Sequence, residues 1–274
     1  MLITEQRNPE TMHIDQMDSL SMIQVLDVEN HKAAEAVSQV LPQIARAVDV
    51  IAEAFEKGGR LVYIGAGTSG RLGVLDASEC PPTYGVSEEQ VIGLIAGGDP
   101  ALRHSVEKVE DQGESGLRDL AAIGFCEKDV LVGISAAGGA AYVVEPIREA
   151  KRMGAITVGI TSNPGTYLAV ETDIPIVTEV GPEPVTGSTR MKSGTAQKLV
   201  LNMLSTGAMI RTGKVYENLM INVRPLNDKL EKRCVRILNT ITSAGEEKCR
   251  VTLQKTKGSI RKAIDLLKKE EPTT

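Results

Sequence analysis

The stretch Gly65-Ala66-Gly67-Thr68-Ser69-Gly70 has the residue types and spacing to hold an anion. Glycines let backbone N–H groups come close to a ligand, and Thr68 and Ser69 add hydroxyl donors. A helix starting near Gly70 would aim its positive end at the same spot, which makes the stretch a cradle suited to phosphate. That helix is expected to end on Glu79, just ahead of Pro81 and Pro82. A carboxylate in the last turn opposes the helix dipole. Glu79 is therefore either a solvated side chain beside a helix stop or a functional acid.

The glycine spacing also fits the dinucleotide fingerprint, and a plain strand–helix turn is a further alternative. The fingerprint needs an acid at the end of the second strand to hold a ribose hydroxyl. Here that strand ends Ile95-Ala96-Gly97-Gly98, with no carboxylate before Asp99. A long helical stretch also precedes the first strand, where a dinucleotide half opens on the strand itself. Glu107, Glu110, Asp111 and Glu114 read by spacing as a charged, solvated helix face, and pattern does not rank them. Thr186-Gly187-Ser188-Thr189-Arg190-Met191-Lys192 places hydroxyls and two cations at the opening of a long helix. Ser188 or Thr189 would cap that helix, or the cluster would supply a second set of anion or sugar-hydroxyl contacts; both can hold.

The elements that must position these groups follow from periodicity. Residues 1–15 are polar and irregular, an expected arm. From Ser19 to Phe55 the pattern is helical, with Pro42 a kink or fresh start and Gly58-Gly59 a stop. Short β-branched runs at 61–64, 91–96, 130–134, 156–160 and 174–177 then alternate with helical stretches at 70–79, 100–122, 142–153 and 166–171. This alternation predicts an α/β three-layer sandwich on a parallel sheet of about five strands. Ligands in such sheets sit beyond the carboxyl ends of the strands, so the loops to watch are 65–70, 97–99, 135–141 and 161–165. The segment 181–190 is too rich in Pro and Gly to be regular. Met191 to Arg211 reads as a helix apolar on most faces, hence central, and suggests a homodimer. Further helices are expected over 226–240 and 246–269. The divisions are 1–58 as N-terminal arm and helices, 59–212 as the α/β domain, and 213–274 as a helical extension.

Composition removes several function classes. The net charge of −5 and the scarcity of aromatics (no Trp, 2 Phe) argue against nucleic-acid binding. Four scattered cysteines with no CxxC pair read as reduced thiols. His13, His31 and His104 have no ligand spacing, so no metal is expected. No apolar run is long enough to span a membrane and no signal-peptide core opens the chain, so a cytoplasmic location is expected.

Longer strings carry a resemblance. Gly65 to Gly73, Leu75 to Tyr84, Ala96-Gly97-Gly98, Glu110-Asp111 and Thr186 to Lys198 resemble the N-acetylmuramic acid 6-phosphate etherases over about residues 3–240. These have a sugar isomerase (SIS) domain, an α/β sandwich that binds phosphosugars, and are similar to the glucokinase regulatory protein, which binds sugar phosphates without catalysis. The resemblance implies a lyase that cleaves the D-lactyl ether of N-acetylmuramic acid 6-phosphate in cell-wall recycling, with no cofactor. It implies Glu79 as the acid and Glu110 as the base. It implies Gly67, Thr68, Ser69, Gly70, Ser135, Ser188 and Thr189 at the phosphosugar, and a homodimer. After the third strand the family reads Ala-Ala-Ser-Gly-Arg-Thr-Pro-Tyr. This chain has Ser135-Ala136-Ala137-Gly138-Gly139-Ala140-Ala141-Tyr142, without the family's Arg and two of its hydroxyls. A catalytically weak phosphosugar-binding or regulatory protein is the alternative that this loop favours. The C-terminal helical region is expected to be shorter than in the family.

Overall fold

The structure, a computed structural model, describes residues 1–222 and 228–270. The chain forms two compact units. One comprises Met1–Ser78 with Glu89–Ala208, the other Glu79–Glu88 with Met209–Thr274.

The first unit opens with short 3-10 turns, then helices α1 (Ser19–Ser38) and α2 (Leu41–Glu56). Strands and helices then alternate: β1 (Leu61–Gly65), α3 (Gly67–Tyr84), β2 (Val91–Ile95), α4 (Pro100–Arg103), α5 (Gly113–Ala122), β3 (Val130–Ile134), α6 (Ala141–Arg152), β4 (Ile156–Thr161), α7 (Tyr167–Glu171) and β5 (Ile174–Val177). The five strands are all parallel, in the order β2-β1-β3-β4-β5. Register places Val62 beside Leu131 and Tyr63 beside Val132. Side chains alternate across a strand, so each strand feeds both faces. Val62, Ile64 and Leu131 pack with Leu120, Tyr142, Val143, Ile147 and Leu168 under α5, α6 and α7. The opposite face carries Leu61, Tyr63, Val130 and Val132, all buried, and meets α2. Both faces being covered explains why the strands read as continuous apolar runs.

The order reverses between β1 and β3, the switch point at which such sheets leave a crevice beyond the strand ends. The loops after β1 and β3 flank it. Helix α8 (Lys192–Arg211) follows the irregular segment 181–190. The second unit adds a two-stranded antiparallel pair, β6 (Val215–Tyr216) and β7 (Leu219–Met220). Its helices α9 (Asp228–Thr242), α10 (Glu246–Lys255) and α11 (Ile260–Glu270) bury Cys234, Leu238, Leu253 and Ile264 in a core of their own. Residues 226 and 227 of the helix expected over 226–240 lie outside the described residues.

Four sequence expectations are corrected. Residues 1–15 are not an arm: Thr4, Asn8 and Thr11 are buried. Asn163 Oδ1 accepts the Ile3 amide at 2.7 Å, and Thr11 Oγ1 donates to the Pro184 carbonyl at 2.8 Å. A polar segment docks this way when its backbone finds partners in another loop. The helix expected to stop at Glu79 runs through Pro81 and Pro82 to Tyr84. Burial of Cys80 and Tyr84 outweighs the amide bonds the prolines cannot make. The helix expected over 100–122 is broken into α4 and α5, with Lys108 at φ 61° between them. Finally, α8 is not apolar on most faces: Thr195, Lys198, Asn202 and Met203 are exposed, while Ala196, Val200, Leu201 and Leu204 are buried.

Candidate functional site

The first loop is tighter than its sequence suggests. Only Ala66 separates β1 from α3, so Thr68 and Ser69 stand in the first helical turn rather than in a loop. A Cβ on Gly65 would lie 2.7 Å from the Gly70 amide nitrogen, and one on Gly70 would lie 2.6 Å from the Gly65 carbonyl. Two of the glycines thus serve the turn itself, by close approach of backbone to backbone. The first-turn amides of α3 lack intrahelical partners and lie at the carboxyl end of β1, an anion-binding arrangement.

The opening of α8 comes to the same place. A Cβ on Gly194 would meet Thr68 Cγ2 at 3.4 Å and the Thr189 carbonyl at 3.5 Å. Ser69 Oγ donates to Gln197 Oε1 at 3.0 Å. Thr68 and the Thr189 backbone therefore both flank Gly194, and Ser69 is tied to the same helix. Neither Ser188 nor Thr189 caps α8. Glu183, fully buried, accepts the Lys192 and Ser193 amides at 2.9 Å each and the Ser193 hydroxyl at 2.8 Å. An anionic cap at a helix N-terminus is favoured by the dipole and leaves the Ser188 and Thr189 side chains uncommitted to capping. Of the two nearby cations, Lys192 is buried and donates to Glu29 Oε2 at 2.5 Å. Glu29 also accepts from Lys32 and, at 2.8 Å, from Asn8. Burial alone would push the Glu29 carboxyl up, but the lysines outweigh it and hold it below the ordinary carboxylate range. Arg190 stays exposed.

The third loop, after β3, is turned by Gly138 at φ 70°, where a Cβ would stand 2.2 Å from Thr166 Oγ1. Ser135 Oγ accepts the Gly138 amide at 3.1 Å, so it shapes the loop while its own proton is left to donate. Ala140 is the N-cap of α6 and offers no side-chain acceptor. That duty falls to Glu110, whose carbonyl accepts the Tyr142 amide at 3.0 Å. Glu110 is thus not on a solvated helix face. It lies in the turn ahead of α5, pinned by its backbone to the start of α6 with its side chain exposed.

Glu79 is exposed and lies on α3 beyond the first loop, ahead of the final turn that ends at Tyr84. With α3 running on to Tyr84, Glu79 no longer sits in the last turn, and its opposition to the helix dipole is weaker. Asp76, one turn earlier, accepts from Tyr63 Oη at 2.8 Å and Ser205 Oγ at 3.1 Å. Burial raises its carboxyl above the ordinary value despite those donors. Glu183, Gln197 and Asp76 were not found from sequence. Gln197 had one visible sign: it is a polar residue in the stripe that continues through Leu201, Leu204 and Ala208.

Comparison with known proteins identifies the fold and the family. Residues 43–151 match the family model of the glucokinase regulatory protein N-terminal SIS domain, and residues 108–207 match the SIS domain. The chain is 61% identical over 241 residues to an N-acetylmuramic acid 6-phosphate etherase of Aeromonas hydrophila, covering 88% of this chain and 81% of that one. It is 54% identical over 266 residues to an etherase of the same name from Glaesserella parasuis, covering 97% and 88%. Among solved structures it resembles a Bacteroides fragilis protein assigned as a phosphosugar isomerase involved in capsule formation. That match has a TM-score of 0.55 and 27% identity, over 72% of this chain and 94% of the other. A phosphoheptose isomerase of Neisseria gonorrhoeae shares the fold at a TM-score of 0.54 and 17% identity, over 70% and 98%. The chain belongs to the N-acetylmuramic acid 6-phosphate etherase family and carries its catalytic fold on an SIS domain.

Proposed function

We propose that this protein is a carbon–oxygen lyase that cleaves the D-lactyl ether of N-acetylmuramic acid 6-phosphate, giving N-acetylglucosamine 6-phosphate and D-lactate in peptidoglycan recycling. The observation that carries this reading is identity of 61% and 54% to etherases, over sequences that include the hydroxyl-bearing start of α3. The location of that helix start at the sheet's switch point supports phosphosugar binding there.

An alkyl ether oxygen is a poor leaving group, so the path is elimination followed by addition. Glu110 takes the proton from the carbon bearing the N-acetyl group, which the open-chain aldehyde acidifies. The electron pair forms a carbon–carbon double bond as the bond to the lactate oxygen breaks, and Glu79 protonates that oxygen. Water then adds: its hydroxyl goes to the carbon that lost lactate and its proton to the carbon bearing nitrogen. One carboxylate acting as base and one as acid suffice for this. Gly67, Thr68, Ser69 and Gly70 hold the phosphate, helped by Ser188, Thr189 and Ser135.

The bare third loop, together with the match to the glucokinase regulatory protein domain, supports a second reading as a weakly catalytic phosphosugar binder. Incubation with N-acetylmuramic acid 6-phosphate and assay of D-lactate decides between them. Lactate release is the expected result; binding without lactate selects the second reading. A homodimer and a cytoplasmic site of action complete the proposal. Leu20, Ile23 and Val28, 68%, 59% and 61% exposed on α1, support the dimer. A monomer by light scattering at micromolar concentration would remove it. No helix of the described residues is long and apolar enough to cross a membrane.

A further inference from the structure

Gln197 is 1% exposed, and among the described residues its Nε2 has no hydrogen-bond partner. Its Oε1 meanwhile accepts from Ser69 Oγ at 3.0 Å. A buried amide nitrogen with two idle N–H groups is an uncommon and costly arrangement. The amide can rotate by half a turn in the same volume and exchange its oxygen for its nitrogen. Nε2 would then donate to Ser69 Oγ. A serine hydroxyl has one proton and two acceptor sites. With an N–H donated to it, Ser69 is free to direct that proton elsewhere, and the first turn of α3 is where an anion would receive it.

We propose that Gln197 is a positioning residue that sets the donor polarity of Ser69. With the cradle empty, the Ser69 proton rests on the Gln197 oxygen. With phosphate bound, the amide turns, Nε2 donates to Ser69, and Ser69 donates to the phosphate. Gln197 touches no substrate in this scheme; it acts through Ser69. The proposal rests on the reading of the α3 start as the phosphate cradle.

Three variants and one pair of ligands test it. Gln197→Glu keeps the shape but can only accept, so it holds the Ser69 proton and adds negative charge behind the cradle. Losing one charge-assisted hydrogen bond predicts a Kd for N-acetylglucosamine 6-phosphate that is higher by roughly ten- to a hundredfold. KM should rise with kcat little changed, because the interaction is not with the reacting atoms. Ser69→Ala should weaken binding to a similar degree. Gln197→Met, which fills the space without hydrogen bonding, should weaken binding in the native chain by up to about tenfold and have almost no effect in the Ser69→Ala background. If the glutamate variant fails to fold, this methionine cycle carries the test. Unphosphorylated N-acetylglucosamine is the control and should be insensitive to all of these changes. Equal affinity in the native protein and Gln197→Glu would overturn the proposal. So would a Gln197→Met loss that persists without Ser69, since that marks a packing role. No binding of N-acetylglucosamine 6-phosphate by the native protein would sink the phosphosugar reading itself, which is a distinguishable failure.

Discussion

The two loops that flank the switch point solve the same problem differently. After β1, one residue separates strand from helix, and Thr68 and Ser69 ride in the first turn beside the free amides. After β3, the chain takes six residues to reach α6, turns on Gly138, and arrives at an N-cap with no side-chain acceptor. The first loop is supported from behind by α8, whose own start is capped by Glu183 and anchored through Lys192 and Glu29. The third loop is supported by a backbone, the Glu110 carbonyl on the Tyr142 amide. The contrast teaches where function is concentrated. The side chains proposed to hold the anion, Thr68 and Ser69, ride on the loop backed by α8. The other loop keeps a single polar side chain, Ser135, and leads to the Tyr142 amide that pins the Glu110 carbonyl.

The largest expected effects come from Glu79 and Glu110, the carboxylates proposed as acid and base. Glu79→Gln should lower lactate release by about 10²–10⁴-fold with phosphosugar affinity largely kept, since a proton transfer alone is lost. Glu110→Gln should fall by a similar factor. It should also abolish deuterium exchange at the carbon bearing the N-acetyl group, measured in heavy water by NMR. Native exchange rates in Glu110→Gln would take the base role away from it and leave the third loop without a catalytic task.

Next in size is the platform under the first loop. Glu29→Gln leaves Lys192, 1% exposed, without its counter-charge and should cost about 3–5 kcal/mol in denaturant unfolding. The sign with pH follows from the lowered carboxyl. Its contribution is complete above the ordinary carboxylate value of 4.5 and fades as pH falls through the lower folded-state value. The native–variant gap should therefore narrow only in acid. A gap of under 1 kcal/mol at neutral pH would show that the Glu29–Lys192 pair does not support α8.

The parallel sheet was legible because its strands are short β-branched runs set between helices, and burial on both faces writes that signal directly into sequence. Pro42 at the start of α2 and Gly58 after its end were equally plain. The misses have a common physical origin in tertiary partners. Pro81 and Pro82 say stop, but burial of Cys80 and Tyr84 continues the helix. Ser188 and Thr189 look like caps, yet a buried glutamate between two prolines takes that role from outside the helix. Glu110 could not be ranked among its acidic neighbours by pattern, because what distinguishes it is a bond from its carbonyl to a residue 32 positions away. The family resemblance ranked it, and the geometry then gave it a location.

A smaller effect tests whether the third loop faces the phosphate. Gly139 has open space beyond an added Cβ, and Ala137 is exposed, so larger side chains fit there. Ala137→Ser, Gly139→Arg and Ala140→Thr together restore the family pattern. They should tighten N-acetylglucosamine 6-phosphate binding by on the order of a hundredfold, if each regained charge-assisted bond is worth about 1.5–3 kcal/mol and part of it offsets ordering of the arginine. Calorimetric titration reads this directly. Unchanged affinity would place the third loop away from the phosphate and leave the first loop to bind it with α8 alone.

The smallest effect separates stability from binding within the same loop. Ala140→Thr alone supplies the missing acceptor at the N-cap of α6, and such caps contribute about 0.5–2 kcal/mol. The gain should sit at the low end, because the Tyr142 amide is already engaged by the Glu110 carbonyl. The threonine oxygen is left with the Val143 amide, which now reaches only the Ala140 carbonyl at 2.9 Å. A rise in Tm of roughly 1–4 °C without phosphosugar is expected, with kcat unchanged. A rise in Tm accompanied by a fall in kcat would carry a different message. It would mean that the new hydroxyl has taken the Tyr142 amide from Glu110, and that this backbone bond, rather than any side-chain contact, holds the base in place.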